Sequence, residues 1–259
     1  MPFVEKITNL KMKILSHIIA VLAGSLIVTG NLQAASQPVK AETQSFSLKT
    51  GASRIIYRPG SAGASLSVAN PQSFPMLVQS QVLMENQTDA APFVVTPPLF
   101  RLDAQQQNRL RVVSTGNVAQ GDRESLYWLC MTGIPPSVDQ EWSRERMKQS
   151  EAKVLVQVRV KSCIKLLVRP AALKGSVTEA AASLTWQRQG NQLRAHNATP
   201  YYANLKKIAV GNQPMNTPGF IAPFSSKTFP LMPGASGDVR WAVITDNGGE
   251  SREYRASLK

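Results

Sequence analysis

Between residues 154 and 168 the chain reads V-L-V-Q-V-R-V-K-S-C-I-K-L-L-V. Val154, Val156, Val158 and Val160 alternate with Leu155, Gln157, Arg159 and Lys161, the two-residue period of a strand with one apolar face. Valine is β-branched and fits a pleated surface, so local preference and pattern agree. At about 3.3 Å per residue, one strand over 154–168 would reach roughly 50 Å. Strands usually hold only about 5–6 residues. The pattern therefore predicts a strand that outruns its own sheet and shows part of its valine face to something else. Burial of that face within its own domain is the plainer alternative.

The rest of the chain repeats the strand signal in short pieces. F-S-L, R-I-I-Y-R, A-S-L-S-V-A-N, M-L-V-Q-S-Q-V-L-M, F-V-V-T, L-F-R-L, N-R-L-R-V-V-S and E-S-L-Y-W-L-C-M-T follow one another, broken by turns such as P-G-S-A-G, Asn70-Pro71 and Pro97-Pro98. Residues 137–153 are polar, charged and free of Gly and Pro, and are expected to form a loop before the valine strand. After Arg169-Pro170 a second set begins: A-S-L-T-W-Q, Q-L-R-A-H-N, Y-Y-A-N-L-K-K-I-A-V, T-F-P-L, V-R-W-A-V-I-T-D and S-R-E-Y-R-A-S-L. Such spacing predicts an all-β chain of sandwich domains, with the junction near residues 169–173.

Residues 1–35 read as a secretory signal: Lys6, Lys11 and Lys13 precede an apolar core, Ile14 to Val28, with cleavage expected near Ala34 or Ala35. The core is short for a membrane span of about 20 residues, and no later segment is apolar enough to cross a bilayer. The sequence thus predicts an exported, soluble protein without stable membrane insertion. Loss of the signal removes three lysines and Glu5, lowering the formal charge from +13 to +11. Export and the absence of aromatics interleaved with the basic positions argue against nucleic acid. The charge points instead to acidic protein partners or an anionic surface, met by electrostatic steering. Cys130 and Cys163, an even count in an oxidising compartment, read as one disulfide closing a loop of 33 residues. With two cysteines and one mature histidine, His196, no metal set, nucleophile–base pair or phosphate loop suggests itself. No enzymatic activity, metal or cofactor is expected.

The motifs R-I-I-Y-R-P-G-S-A-G-A-S-L-S-V-A-N-P-Q, P-F-V-V-T-P-P-L-F-R-L-D, D-R-E-S-L-Y-W-L-C, G-I-P-P, I-K-L-L-V-R-P and N-A-T-P-Y-Y, in that order, cover most of the mature chain. Together they resemble the periplasmic pilus-assembly chaperones of the PapD-like family. The resemblance implies two immunoglobulin-like sandwiches at an angle with a cleft between them: a signal at 1–35, an N-terminal domain at 36–170 and a C-terminal domain at 171–259. It implies that the chaperone lends a strand, here about 154–168, to a pilus subunit that lacks its own final strand, and passes the subunit to an outer-membrane usher. Val154, Val156, Val158 and Val160 then match the positions that enter the subunit's groove.

The same resemblance maps two cleft cations onto Arg54 and Lys165, expected to bind the subunit's C-terminal carboxylate. Two cations on one anion set the register that an alternating strand alone specifies poorly. Arg58, also near a strand end, is not expected to take part. Arg169 matches the cation of an interdomain bridge whose acids would be Glu124 and Asp246. A long loop flanked by Cys130 and Cys163 matches the long-loop (FGL) branch, which carries a disulfide here and serves thin, nonfimbrial or capsule-like polymers. The expected partners are fimbrial or nonfimbrial polymer subunits, acidic in character, and the usher; edge pairing also makes self-association of the client-free chaperone an expectation. The competing reading is a secreted two-domain adhesin or binding module on the same scaffold, which would have no use for an exposed valine strand.

Overall fold

The computed structural model describes residues 41–135, 154–216 and 219–258. The expected signal and the expected loop at 137–153 lie outside them. The first part of the chain forms β1 (Ala41–Phe46), β2 (Lys49–Thr50), β3 (Arg54–Tyr57), β4 (Ala64–Ala69), β5 (Met76–Leu83), β6 (Phe93–Thr96), β7 (Leu99–Leu102), β8 (Gln107–Ser114), β9 (Ser125–Ile134), β10 (Val154–Arg159) and β11 (Lys161–Val168). One sheet has the order β3-β11-β9-β5-β7 and the facing sheet the order β2-β4-β8-β6. Alternation decides what lies between them: Val78 and Val82 of β5, Leu129 and Met131 of β9, and Ile164, Leu166 and Val168 of β11 meet Leu66, Val68, Leu110 and Val112 from the other sheet. Each fully buried aliphatic side chain contributes about 1.5–3 kcal/mol of transfer free energy.

The second part begins with a helix, α1 (Val177–Ala182), followed by β12 (Thr185–Gln189), β13 (Gln192–Asn197), β14 (Ala203–Val210), β15 (Gln213–Pro214), β16 (Phe220–Ile221), β17 (Ser225–Pro230), β18 (Val239–Val243) and β19 (Tyr254–Ala256). The sheet β12-β13-β17 faces the sheet β15-β14-β18-β19, in which β16 also pairs with β14. Trp186, Leu193 and Phe229 pack against Leu205, Ile208, Trp241 and Val243, and α1 adds Val177, Ala180 and Ala181 to this core. The chain is thus two Ig-like sandwiches, almost entirely β. The helix replaces the start of the expected strand A-S-L-T-W-Q. Ser176 and Glu179 form a capping box, each side chain accepting from the other's backbone N–H, and this stabilises the turn.

Residues 154–168 are not one strand. The ladder breaks at Val160, because the two halves pair with different neighbours. β11 runs antiparallel to β9 and parallel to β3, whereas β10 runs parallel to β1, with Ala41 opposite Val154 and Phe46 opposite Arg159. Among the described residues the other edge of β10 pairs with no strand. The Val160 carbonyl accepts from Gly133 N–H at 3.2 Å, which ties the break to the end of β9. Gly133 is needed there: a Cβ would come within 2.1 Å of the Phe46 carbonyl oxygen, where β1 turns its buried phenyl ring into the first core.

Candidate functional site

Strand parity places the site. On β11, Ile164, Leu166 and Val168 point into the first core, which sends Lys165 and Leu167 to the opposite face. On β3, Ile55 and Tyr57 point in, so Arg54 and Ile56 share that outer face. The register pairs Lys165 with Arg54 and Leu167 with Ile56, while on its other side Lys165 is opposite Trp128. Leu126 and Leu167, with Ile56 and Trp128 beside them, pack on Tyr202, Phe220 and Ala222 of the second sandwich. Arg54 and Lys165 stand side by side at the edge of this apolar contact.

Neither cation has an ion-pair partner among the described residues. Arg54, 7 % exposed, donates from Nη1 to the Ile244 carbonyl at 3.2 Å, and its buried Nε has no acceptor. Burial lowers its pKa against the opposing pull of Asp246 and Glu124. Lys165 donates from Nζ to Asn204 Oδ1 and lies 4.5 Å from the Phe220 ring centroid and 5.9 Å from that of Trp128. Burial, then the like charges of Arg54 and Lys227, push the Lys165 ammonium down to about 8. Two adjacent, partly desolvated cations facing amide, carbonyl and aromatic groups have the charge and donors that suit an anion. Arg58 is exposed in the turn after β3 and stands apart from this pair.

Arg169 is held differently. Its Nε donates to Glu124 Oε1 at 2.6 Å, and Nη1 and Nη2 donate to Asp246 Oδ2 and Oδ1 at 2.6 and 2.7 Å. Glu124 Oε2 accepts from the Tyr202 backbone N–H at 2.8 Å, so one buried carboxylate links both sandwiches. Burial opposes charge on Arg169, but its contacts with Asp246 and Glu124 outweigh that and raise its pKa. Burial also raises the Glu124 carboxyl, with Arg169 and the Tyr202 N–H opposing.

Cys130 and Cys163 are directly opposite each other on β9 and β11 and form a disulfide. It locks these two strands together a few residues past the point where β10 ends. Val154, Val156 and Val158 are 50, 43 and 41 % exposed, and Gln157 and Arg159 between them are exposed too. Among the described residues, no buried core cluster includes a β10 side chain. Val160, at the ladder break, is half-buried. Sequence reasoning missed the groups that the second sandwich brings to the cations: Asn204, Phe220, the Ile244 carbonyl and Lys227. For Lys227 a signal was present, since S-S-K-T-F puts the lysine on the same strand parity as the buried Phe229. The expected strand began one residue too late to include it.

Two immunoglobulin-like sandwiches, a strand with a half-exposed valine face, and a cation pair with no ion-pair partner among the described residues are the features of the assembly-chaperone class. The chain belongs to the pilus-assembly chaperone family: the model for "Pili and flagellar-assembly chaperone, PapD N-terminal domain" matches residues 47–174, and that for "Pili assembly chaperone PapD, C-terminal domain" matches residues 179–255. It is a chaperone of pilus assembly, not an enzyme. Among its relatives, chaperone protein AggD of Escherichia coli is 45% identical over 223 residues, 85% of this chain and 88% of that protein. The crystal structure of the E. coli chaperone DraB is 48% identical, with a TM-score of 0.75 over 85% of this chain and 100% of that one. A chain from the structure of the Salmonella enterica SafA pilin in complex with the SafB chaperone is 42% identical, with a TM-score of 0.76 over 85% and 100%.

Proposed function

We propose that this chaperone works in the periplasm, binds subunits of a fimbrial or capsule-like surface polymer, and delivers them to an outer-membrane usher. In this reading residues 1–35 are removed on export, and the domains divide at about residue 170. Strand β10 pairs with the open groove of a subunit, supplying backbone hydrogen bonds along its free edge and side chains to the groove. Arg54 and Lys165 hold the subunit's C-terminal carboxylate, which sets which subunit residue meets which valine. Clients are acidic, in keeping with the basic chain, and the long stretch of sequence before Val154 and the disulfide support membership of the long-loop branch. Without a client, the free edge of β10 supports self-association.

The observation that carries the reading is the exposure of Val154, Val156 and Val158 on a regular strand that leads, across the break at Val160, into the core strand β11. An adhesin gains nothing from such a strand. Each valine is already about half covered, so its further burial is worth about 1 kcal/mol, less than for a fully exposed side chain. Backbone pairing and the carboxylate must therefore supply much of the affinity.

The test is periplasmic co-expression of the tagged chaperone with the candidate subunit encoded beside it, as wild type, Arg54→Ala and Lys165→Ala. The expected result is a one-to-one complex that either substitution abolishes while the free chaperone still folds. Survival of the complex in both variants would overturn the carboxylate assignment. Failure of any subunit to bind the wild type would bring the adhesin reading forward.

A further inference from the structure

Lys227 stands on β17 of the second sandwich, on the inward strand parity shared with the buried Phe229. Lysine at such a position ordinarily finds a carboxylate or turns its ammonium to water. Here it does neither fully. The residue is half-buried, and no carboxylate among the described residues lies within ion-pair distance of it. Its Nζ lies 5.7 Å from the centroid of Phe220 and 5.6 Å from that of Phe229. It rests against Gly219, where a Cβ would come within 2.9 Å of it. Phe220 is the same ring that Lys165 covers at 4.5 Å. Arg54, Lys165 and Lys227 therefore form one cluster of three cations, with amide, carbonyl and aromatic groups around them and, among the described residues, no acid within ion-pair distance.

We infer that Lys227 is a third recognition residue of the carboxylate site, so that a bound subunit terminus is held by cations from both sandwiches at once. The inference rests on the reading of Arg54 and Lys165 as the carboxylate anchor. Three like charges brought together out of water destabilise the free chaperone, and an anion relieves all three interactions together. Aromatic faces keep the Lys227 charge in place without cancelling it. Because Arg54 and Lys165 come from β3 and β11 and Lys227 from β17, the anion bridges the two sandwiches. A terminus bound there reports that the sandwiches are correctly set, a role that two cations from one domain cannot fill.

The groups facing Lys165 are Arg54 from β3, Trp128 from β9, Asn204 from β14, Phe220 from β16 and Lys227 from β17; Glu124 and Asp246 act on Arg54 from farther off. Removing Lys227 thus takes away one of the two like charges acting on Lys165, which gives the test two independent arms. In the first, the free full-length mature chaperone carries 13C-labelled lysine, and the Lys165 titration is followed by NMR. Lys227→Gln should move its midpoint upward, and Lys227→Arg should leave it unchanged. In the second, retention of the co-expressed subunit is measured against salt. Lys227→Gln should weaken the complex about three- to tenfold and flatten its salt dependence, with Lys227→Arg restoring both.

If Lys227→Gln leaves the Lys165 midpoint unmoved, or retains the subunit as wild type does while Arg54→Ala and Lys165→Ala lose it, the inference falls and the anchor reading stands. If Arg54→Ala and Lys165→Ala both keep the subunit, the anchor reading falls and takes the inference with it. Loss of binding in Lys227→Gln that Lys227→Arg does not restore, with a lowered urea midpoint, would assign the residue a structural role only and overturn the proposal.

Discussion

Glu124 and Arg169 meet at 2.6 Å on the first sandwich, where it faces the second, with 0 % and 14 % of their side chains exposed. The carboxylate also accepts from the Tyr202 backbone, so its removal leaves a buried N–H without its acceptor and leaves Arg169 with Asp246 alone. Glu124→Ala should therefore lower unfolding stability by about 3–5 kcal/mol, the cost of breaking a buried pair from one side. Asp246, at 43 % exposure, is screened by solvent, and Asp246→Asn should cost about 1 kcal/mol or less. Urea denaturation of the two variants side by side checks the difference; equal losses would remove Glu124 from its central place in the bridge.

Lys165 sets an alkaline limit on client binding. Its folded pKa of about 8 lies below the ordinary 10.5, so above pH 8 the free chaperone loses the charge that a carboxylate needs. Below that pH affinity should be flat with respect to this group. Above it affinity should fall by up to about tenfold per pH unit, one proton being taken up on binding. The stability of the free chaperone responds in the opposite sense. The cost of the buried charge is fully present below pH 8 and disappears as pH rises toward 10.5, because the unfolded chain holds the proton longer. Affinity and urea midpoint, each measured from pH 6.5 to 9.5, should thus diverge.

The valines of β10 separate binding from folding. Val156→Ser and Val158→Ser place hydroxyls at exposed positions outside the core clusters of the described residues, so the stability of the free chaperone should change by no more than about 0.5 kcal/mol. In a subunit groove the same hydroxyls would lose apolar burial and hydration, costing about 1–2 kcal/mol each, or roughly tenfold in affinity. Paired melting and subunit-retention measurements test this. A large drop in melting temperature would mean that β10 packs within its own chain.

Cys130 and Cys163 close a loop of 33 residues between neighbouring strands. Replacing both by serine should lower unfolding stability by about 3–4 kcal/mol on the chain-entropy estimate. The measurement is urea unfolding of the oxidised protein and the double variant. A loss below about 1 kcal/mol would mean that strand pairing alone restrains the unfolded loop.

Much of the site was legible because strand periodicity is local. The alternation in I-K-L-L-V puts Lys165 on the face opposite Ile164 and Leu166, and R-I-I-Y does the same for Arg54 relative to Ile55 and Tyr57. The two sets of strands, the exposed valine run and the two cysteines could likewise be read directly. The S-V-T-E capping box of α1 was equally local, but it is buried in a short run of residues whose apolar positions also suit a strand.

Other features depend on partners distant in sequence. Whether 154–168 is one strand or two depends on β1, more than a hundred residues earlier, taking one side of β10 while β9 takes one side of β11. The change of partner breaks the ladder at Val160, where the alternation itself runs on without interruption. The setting of Lys165 also required the second sandwich, since Asn204, Phe220 and Lys227 reach it only when Leu126 and Leu167 pack on Tyr202. Alternation along a strand determines which way each side chain points. Sheet order and packing decide what it meets, because those contacts are made between segments that no local pattern connects.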